Sequence, residues 1–306
     1  MAKTIMLQGT GSHVGKSVLT TALCRIFFQD GYSVAPFKGQ NMALNSYVTV
    51  DGGEMGGAQA IQAEACKIQP DVLMNPVLLK PTQDSASQVI VLGKPMGNLS
   101  AKDYHVQYKD KAWQVIKDSL YKLADNYQVL VIEGAGSPAE VNLKENDVVN
   151  MRVAKEIGAP VLLIADIDRG GALASVVGTL ELLDQEERDL VKGIIINKFR
   201  GDINLLKPAL DFLEAKTGKP VVGVMPYFQG FRIPEEDSIA TENLNTVSTS
   251  QDKLDIAVIH LPYISNFTDF DALTGETDVD LRFVKKGDVL GNPDLIIIPG
   301  SKNTIQ

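Results

Sequence analysis

Gly9-Thr10-Gly11-Ser12-His13-Val14-Gly15-Lys16-Ser17 follows the apolar run Ile5-Met6-Leu7 and precedes an amphipathic stretch that begins at Val18. Strand, glycine-rich turn, lysine, hydroxyl residue and helix in that order read as a phosphate-binding loop. Backbone N–H groups from Gly11, Ser12, His13, Val14 and Gly15 can wrap a polyphosphate, and the following helix adds the positive end of its dipole. Lys16 can reach the β and γ phosphates, and Ser17 can offer its hydroxyl to Mg²⁺. The usual spacing of this motif would put glycine at position 10, where the chain has Thr10, so the loop is a longer variant. A solvated lysine in a structural turn is the bland alternative, and the ordered set of features outweighs it. The chain is expected to use a nucleoside triphosphate.

The rest of the chain extends the same pattern. Apolar, largely β-branched runs recur at residues 5–7, 34–37, 89–92, 129–132, 161–164, 194–196 and 221–224, mostly separated by helical patterns. Continuous apolarity suits strands covered on both faces, and alternation with helices suits a parallel sheet, so a doubly wound α/β fold is expected. In the first helix Val18, Leu19, Ala22, Leu23, Ile26 and Phe27 form the stripe expected to pack on the sheet, with Gly31 as a stop signal. Beyond Gly230 the pattern gives way to polar, acidic sequence. The expected organisation is therefore a nucleotide-binding domain over residues 1–232, a linker over 233–253, and two further strands near 254–259 and 295–298 within 254–306. Those last residues are too few for an independent α/β core and are expected to open a second domain.

With 306 residues and a net charge of −9, the chain is not expected to bind nucleic acid or an anionic membrane, and small molecules are the expected partners. No apolar stretch of about 18 residues occurs, and the N-terminus runs directly into a core strand, so a cytoplasmic location is expected. Homo-oligomerisation is left open. Cys24 and Cys66 are read as buried thiols, and His13, His105 and His260 are scattered rather than set as metal ligands.

In an open sheet of this kind ligands gather at the carboxyl ends of strands. Glu133 ends the run Val129-Leu130-Val131-Ile132 and is followed by Gly134-Ala135-Gly136, which makes it the natural Mg²⁺ partner of Ser17. Glu140 and Asp147, with Asn142, Asn146 and Asn150, lie in the segment after that strand and are read as substrate-side groups or as a solvated loop. Lys38 closes the second strand and can balance anionic charge in the transition state. Asp51 and Glu54 are candidates for another metal carboxylate, Asn197 for a purine edge, and Asp168 and Arg169 for a substrate or phosphate contact or a structural ion pair. Lys80, Lys94 and residues 85–88 are weaker candidates for substrate binding.

Taken together, the long phosphate loop, Lys38-Gly39-Gln40-Asn41-Met42, Asn75-Pro76-Val77-Leu78-Leu79-Lys80-Pro81, Glu133-Gly134-Ala135-Gly136-Ser137, residues 166–171, Asn197-Lys198-Phe199-Arg200-Gly201 and Ser265-Asn266-Phe267-Thr268-Asp269-Phe270-Asp271 closely resemble the cobyric acid synthase family. The phosphate loop alone also resembles that of dethiobiotin synthetase. The resemblance implies a P-loop domain of dethiobiotin synthetase-like type and, from residue 254, the opening of a class I glutaminase-type domain. It implies an ATP- and Mg²⁺-dependent amidation of the b, d, e and g carboxylates of adenosylcobyrinic acid a,c-diamide, through acyl phosphates, with ammonia drawn from glutamine. In that chemistry Lys16, Ser17 and Glu133 hold the γ-phosphoryl group, and Glu140 and Asp147 belong to the substrate side. The family's glutaminase cysteine has no counterpart here, because Cys24 and Cys66 lie in the first domain, so this chain is expected to be a fragment limited to free ammonia. Gly57 stands where family members often carry arginine. The alternatives are cobyrinic acid a,c-diamide synthase, dethiobiotin synthetase, and a regulatory ATPase of the ParA/MinD kind. The last predicts an earlier, second lysine in the loop, which residues 9–14 lack.

Overall fold

The structure, a computed structural model, describes residues 1–83, 86–100, 108–228, 252–261, 264 and 266–301. Most of the expected linker lies outside these residues, as do Ser85, His105, Ser265, Lys302 and Asn303. The first part of the chain forms β1 Lys3–Gly9, α1 Lys16–Gln29, β2 Val34–Phe37, β3 Gln40–Met42, β4 Ser46–Val48, β5 Glu54–Gly56, α2 Gly57–Ala65, β6 Val77–Gln83, β7 Ala86–Val91, β8 Lys94–Ser100 and α3 Lys109–Asn126. There follow β9 Val129–Glu133, α4 Met151–Ile157, β10 Val161–Asp166, α5 Ala172–Leu182, α6 Gln185–Leu190, β11 Val191–Phe199, α7 Ile203–Thr217 and β12 Val221–Pro226. Beyond the linker come β13 Leu254–Ile259, α8 Asp271–Thr274, β14 Val279–Val284 and β15 Leu295–Ile297.

The main sheet runs β12-β11-β10-β1-β9-β2, and every strand pair in it is parallel. Its two faces are read directly from the pleat. Met6, Leu130, Ile132, Leu163, Ile194 and Ile196 point into one buried cluster, which holds apolar residues of α3, α4, α5 and α7. Leu7, Val129, Val131, Ile164 and Ile195 point into the other, with Leu19 and Cys24 of α1 and with Cys66 just after α2. Successive residues thus serve opposite cores, which is why the strands read as unbroken apolar runs. The doubly wound parallel fold expected from the sequence is present.

Two expectations need correction. Residues 89–92 are not part of the parallel sheet: β7 belongs to a separate four-stranded sheet, β3-β6-β7-β8, in which β6, β7 and β8 form an antiparallel meander. With the antiparallel β4–β5 hairpin and α2, this sheet is inserted between β2 and α3. Apolarity alone does not tell one sheet from another, because Val89 and Ile90 are as buried as any main-sheet residue.

The buried face of α1 is also rotated from the apolar stripe. Lys16, Leu19, Thr20, Thr21 and Cys24 are buried, whereas Ile26 is 48% exposed. The i, i+4 line through Lys16, Thr20 and Cys24 faces inward, because the same helix that packs on the sheet also directs Lys16 into the loop.

After the linker, β14-β13-β15 form a separate parallel sheet around Val258, Ile264, Phe267 and Phe283. Among the described residues, no helix is long and apolar enough to cross a membrane.

Candidate functional site at the carboxyl edge of the main sheet

The loop between β1 and α1 is built from strained but supported backbone. Gly15, the residue before α1, has φ +100°, and a Cβ placed there would stand 2.1 Å from Asn197 Nδ2, so only glycine fits. That same Asn197 nitrogen donates to the Val14 carbonyl at 2.8 Å, and Lys198 Nζ donates to the His13 carbonyl at 2.7 Å. The end of β11 therefore braces the loop from below. Lys198 is in turn paired with Asp166 at the end of β10, at 2.8 Å. No side chain caps α1, which leaves its first N–H groups to whatever fills the loop. Lys16 is buried and donates to the carbonyls of Gly11 (2.9 Å) and Gly136 (3.1 Å), which folds the ammonium back over the loop.

Gly136 is held by the segment after β9. Asn150 accepts from the Ala135 N–H at 3.0 Å and donates to the Ala135 carbonyl at 2.7 Å. Asp147 receives the N–H groups of Val149, Asn150 and Arg152 at 2.8–3.0 Å, so its carboxylate caps the entry to α4. Glu140 is exposed in the same segment.

Glu133, 1% exposed, is the centre of the site. Its backbone pairs with Leu7 in β1, two residues before Gly9, so the end of β9 lies beside the start of the loop. Oε1 accepts from Ser17 Oγ at 2.8 Å and from Lys38 Nζ at 3.0 Å, while Oε2 accepts from Gln62 Nε2 at 2.7 Å. Burial by itself would push the carboxyl up; the Lys38 ammonium and the hydrogen bonds from Lys38, Gln62 and Ser17 outweigh it and hold the group below its usual range. A buried carboxylate is thereby kept ionised next to a hydroxyl and a phosphate loop.

Ser17 and Glu133 offer adjacent oxygen donors of the hard kind that Mg²⁺ takes when it keeps several waters and is shared with nucleotide phosphates. Among the described residues no group of three or more His, Cys, Asp or Glu could hold a metal ion, so a dedicated protein cage is not what this edge provides.

The other predicted residues are placed as follows. Asp51 is exposed in the turn between β4 and β5, and Glu54 pairs with Lys80 at 2.5 Å rather than facing Glu133. Asp168 pairs with Arg200 at 2.8 Å, and Arg169 lies 3.9 Å from Asp166, so Asp168 and Arg169 do not form the ion pair with each other. The Arg200 guanidinium stacks 3.4 Å above the Tyr227 ring. Cys24 and Cys66 are buried free thiols; the hydrogen bond between them, followed by burial, raises the Cys24 thiol well above its ordinary range.

Sequence reading missed Gln62, and quoted Asn75 in a family motif without giving it a role. Asn75 accepts from the Gly56 N–H at 2.9 Å and donates to the Lys38 carbonyl at 3.0 Å, linking the start of α2 to the residue that neutralises Glu133. The available signal was Gln59 and Gln62 at i, i+3 in the otherwise small and apolar run Ala58-Gln59-Ala60-Ile61-Gln62-Ala63.

Comparison with known proteins gives the family. Residues 5–239 match the CobQ/CobB/MinD/ParA nucleotide binding domain, and residues 255–306 match the CobB/CobQ-like glutamine amidotransferase domain. Over all of this chain, the protein named cobyric acid synthase from Desulfitobacterium hafniense is 64% identical, that from Pelotomaculum thermopropionicum 65% and that from Moorella thermoacetica 63%. The chain spans 60%, 58% and 59% of the length of those relatives. With a parallel sheet, a braced phosphate loop and a match over most of its length, the chain belongs to the CobQ/CobB/MinD/ParA nucleotide-binding family, and all of it is similar to cobyric acid synthases.

Proposed function

We propose that this chain carries the ATP-dependent part of cobyric acid synthesis, the amidation of the b, d, e and g carboxylates of adenosylcobyrinic acid a,c-diamide in the cytoplasm. The observation that supports the reading is the buried Ser17–Glu133–Lys38 cluster beside the phosphate loop, in a chain 63–65% identical to proteins named cobyric acid synthase.

In this reading a substrate carboxylate oxygen attacks the γ-phosphorus of ATP, ADP departs, and the acyl phosphate is attacked by the lone pair of ammonia. Phosphate leaves, a proton is lost, and the amide remains. Lys16 binds phosphate oxygens, and Ser17 and Glu133 would hold Mg²⁺, which when bound would offset the charge of the transferring group. Lys38 supplies positive charge where the phosphoryl group passes, so catalysis is mainly positioning and electrostatic. Glu140 and Asp147 are assigned to the substrate side, Asp147 by shaping the segment it caps, and Asn197 to the nucleotide through its hold on the loop. Asp51, exposed in the β4–β5 turn, is given no part in holding the metal. Residues 1–232 are the synthetase domain, 233–253 the linker and 254–306 part of the amidotransferase domain that delivers ammonia from glutamine.

The test is ADP release with Mg-ATP and ammonium chloride, with and without the corrinoid, following the corrinoid's mass. Corrinoid-dependent ADP release with stepwise gain of amides is expected. Nucleotide binding without corrinoid amidation, together with ADP release driven by a dethiobiotin precursor or by cobyrinic acid instead, overturns the substrate assignment.

A further inference from the structure

Glu133 has two oxygens, and the fold gives them to different kinds of partner. Oε1 faces the phosphate loop and takes the Ser17 hydroxyl and the Lys38 ammonium. Among the described residues Oε2 takes a neutral group, the Gln62 amide at 2.7 Å. Gln62 is fully buried on α2, and its own Oε1 has no hydrogen-bond partner among the described residues. Exchanging the amide's two ends would not relieve this, because it would set a carbonyl oxygen against an ionised carboxylate.

A leucine or methionine of similar volume would avoid the unpartnered acceptor but would take away the one N–H that Glu133 Oε2 accepts among the described residues, so the amide answers to the carboxylate. Packing alone therefore gives no reason for glutamine here. The scaffold around it is equally specific. Asn75 ties Gly56, the residue before α2, to the Lys38 carbonyl, and Asn41 donates to Gln59 one turn before Gln62 at 3.1 Å. The two groups that grip Glu133 from opposite sides are thus referenced to one buried amide, Asn75.

We infer that Gln62 is a positioning residue for the nucleotide reaction: by occupying Oε2 it fixes the plane of the Glu133 carboxylate and keeps Oε1 turned to Ser17 and the divalent cation. This rests on the reading that Ser17 and Glu133 hold the Mg²⁺ of the nucleotide.

The inference is tested by titrating a non-hydrolysable ATP analogue calorimetrically, with Mg²⁺ and with EDTA, against the full chain and its Gln62→Leu and Gln62→Glu variants. Gln62→Leu is expected to lose about tenfold or more of the Mg²⁺-dependent affinity and to keep the affinity measured in EDTA. Gln62→Glu keeps the length of the side chain but removes the N–H that Oε2 accepts, so it is likewise expected to lose Mg²⁺-dependent affinity and to keep the affinity measured in EDTA. A purely structural role would lower thermal stability without separating the Mg²⁺ and EDTA affinities. Variants with the parent's ratio of Mg²⁺ to EDTA affinity overturn the role of Gln62. A parent chain whose nucleotide affinity ignores Mg²⁺ instead overturns the metal reading beneath it. If Gln62→Leu does not fold, Gln62→Glu, which keeps the side chain's shape, decides alone.

Discussion

At the scale of single residues, Lys38 decides whether Glu133 can stay charged. Removing one partner of a buried ion pair leaves the other uncompensated, at a cost of about 3–5 kcal/mol, whereas removing both is far milder. Lys38→Met is therefore expected to destabilise the chain by about that amount at neutral pH, and the double variant Lys38→Met/Glu133→Gln to recover most of it, as measured by urea unfolding. The sign of the pH effect follows: without Lys38, burial raises the Glu133 pKa in the folded state, so the deficit is full above that raised pKa and shrinks as pH falls through it toward the usual carboxylate range, where the unfolded carboxyl is also protonated. Cys24 and Cys66 make a second expectation. Both are buried and the Cys24 thiol is pushed up, so a thiol-specific reagent should react with neither at neutral pH until denaturant is added. Lys16, Ser17 and Glu133 were legible because each stands at a fixed place in a local order of strand, loop and helix. Gln62 was not, since an amide on a helix says nothing about the carboxylate it meets 71 positions away.

Among the elements, α1 and α6 show opposite ways to start a helix. Helix α1 begins at a left-handed glycine with no side-chain cap, whereas α6 begins with a complete capping box between Asp184 and Glu187. Gly15→Ala combines the left-handed backbone with the collision against Asn197, and is expected to weaken nucleotide binding about tenfold or more, read by calorimetry. At α6, Asp184→Ala should cost about 1 kcal/mol of stability. The backbone N–H of Glu187, with Lys155 and Lys144, lowers the Asp184 carboxyl to about 2. Its contribution is thus complete above the usual carboxylate range and is lost as pH falls toward 2, so urea midpoints of variant and parent should converge on acidification. The strands of the parallel sheet were readable as elements, because strands covered on both faces carry unbroken apolarity. The inserted β3-β6-β7-β8 sheet was not: residues 89–92, which take in the end of β7, read as one more apolar run, and apolarity does not mark which sheet a strand joins.

For the whole molecule, one contact among the described residues that joins the last module to the first is Asn266, whose Oδ1 accepts from the Ser46 N–H at 3.1 Å across 220 residues of sequence. Asn266→Ala should speed hydrogen exchange at the Ser46 amide and leave α1 unchanged, measured by mass spectrometry. Ser46 pairs with Gly56, which precedes α2, so the joint and the site share one inserted segment. The sequence by itself determined the phosphate loop, the parallel α/β class and the carboxylate at the end of β9, because each depends on the order of neighbouring residues and on the period of a strand or helix. Only the tertiary structure decided which groups keep Glu133 ionised, that Asp147 serves a helix entry, that Asp168 faces Arg200 and that Asn197 braces the loop. Those outcomes depend on desolvation and on partners brought together from distant segments, 95 positions apart for Lys38 and Glu133, and such energies exist only once the chain has folded.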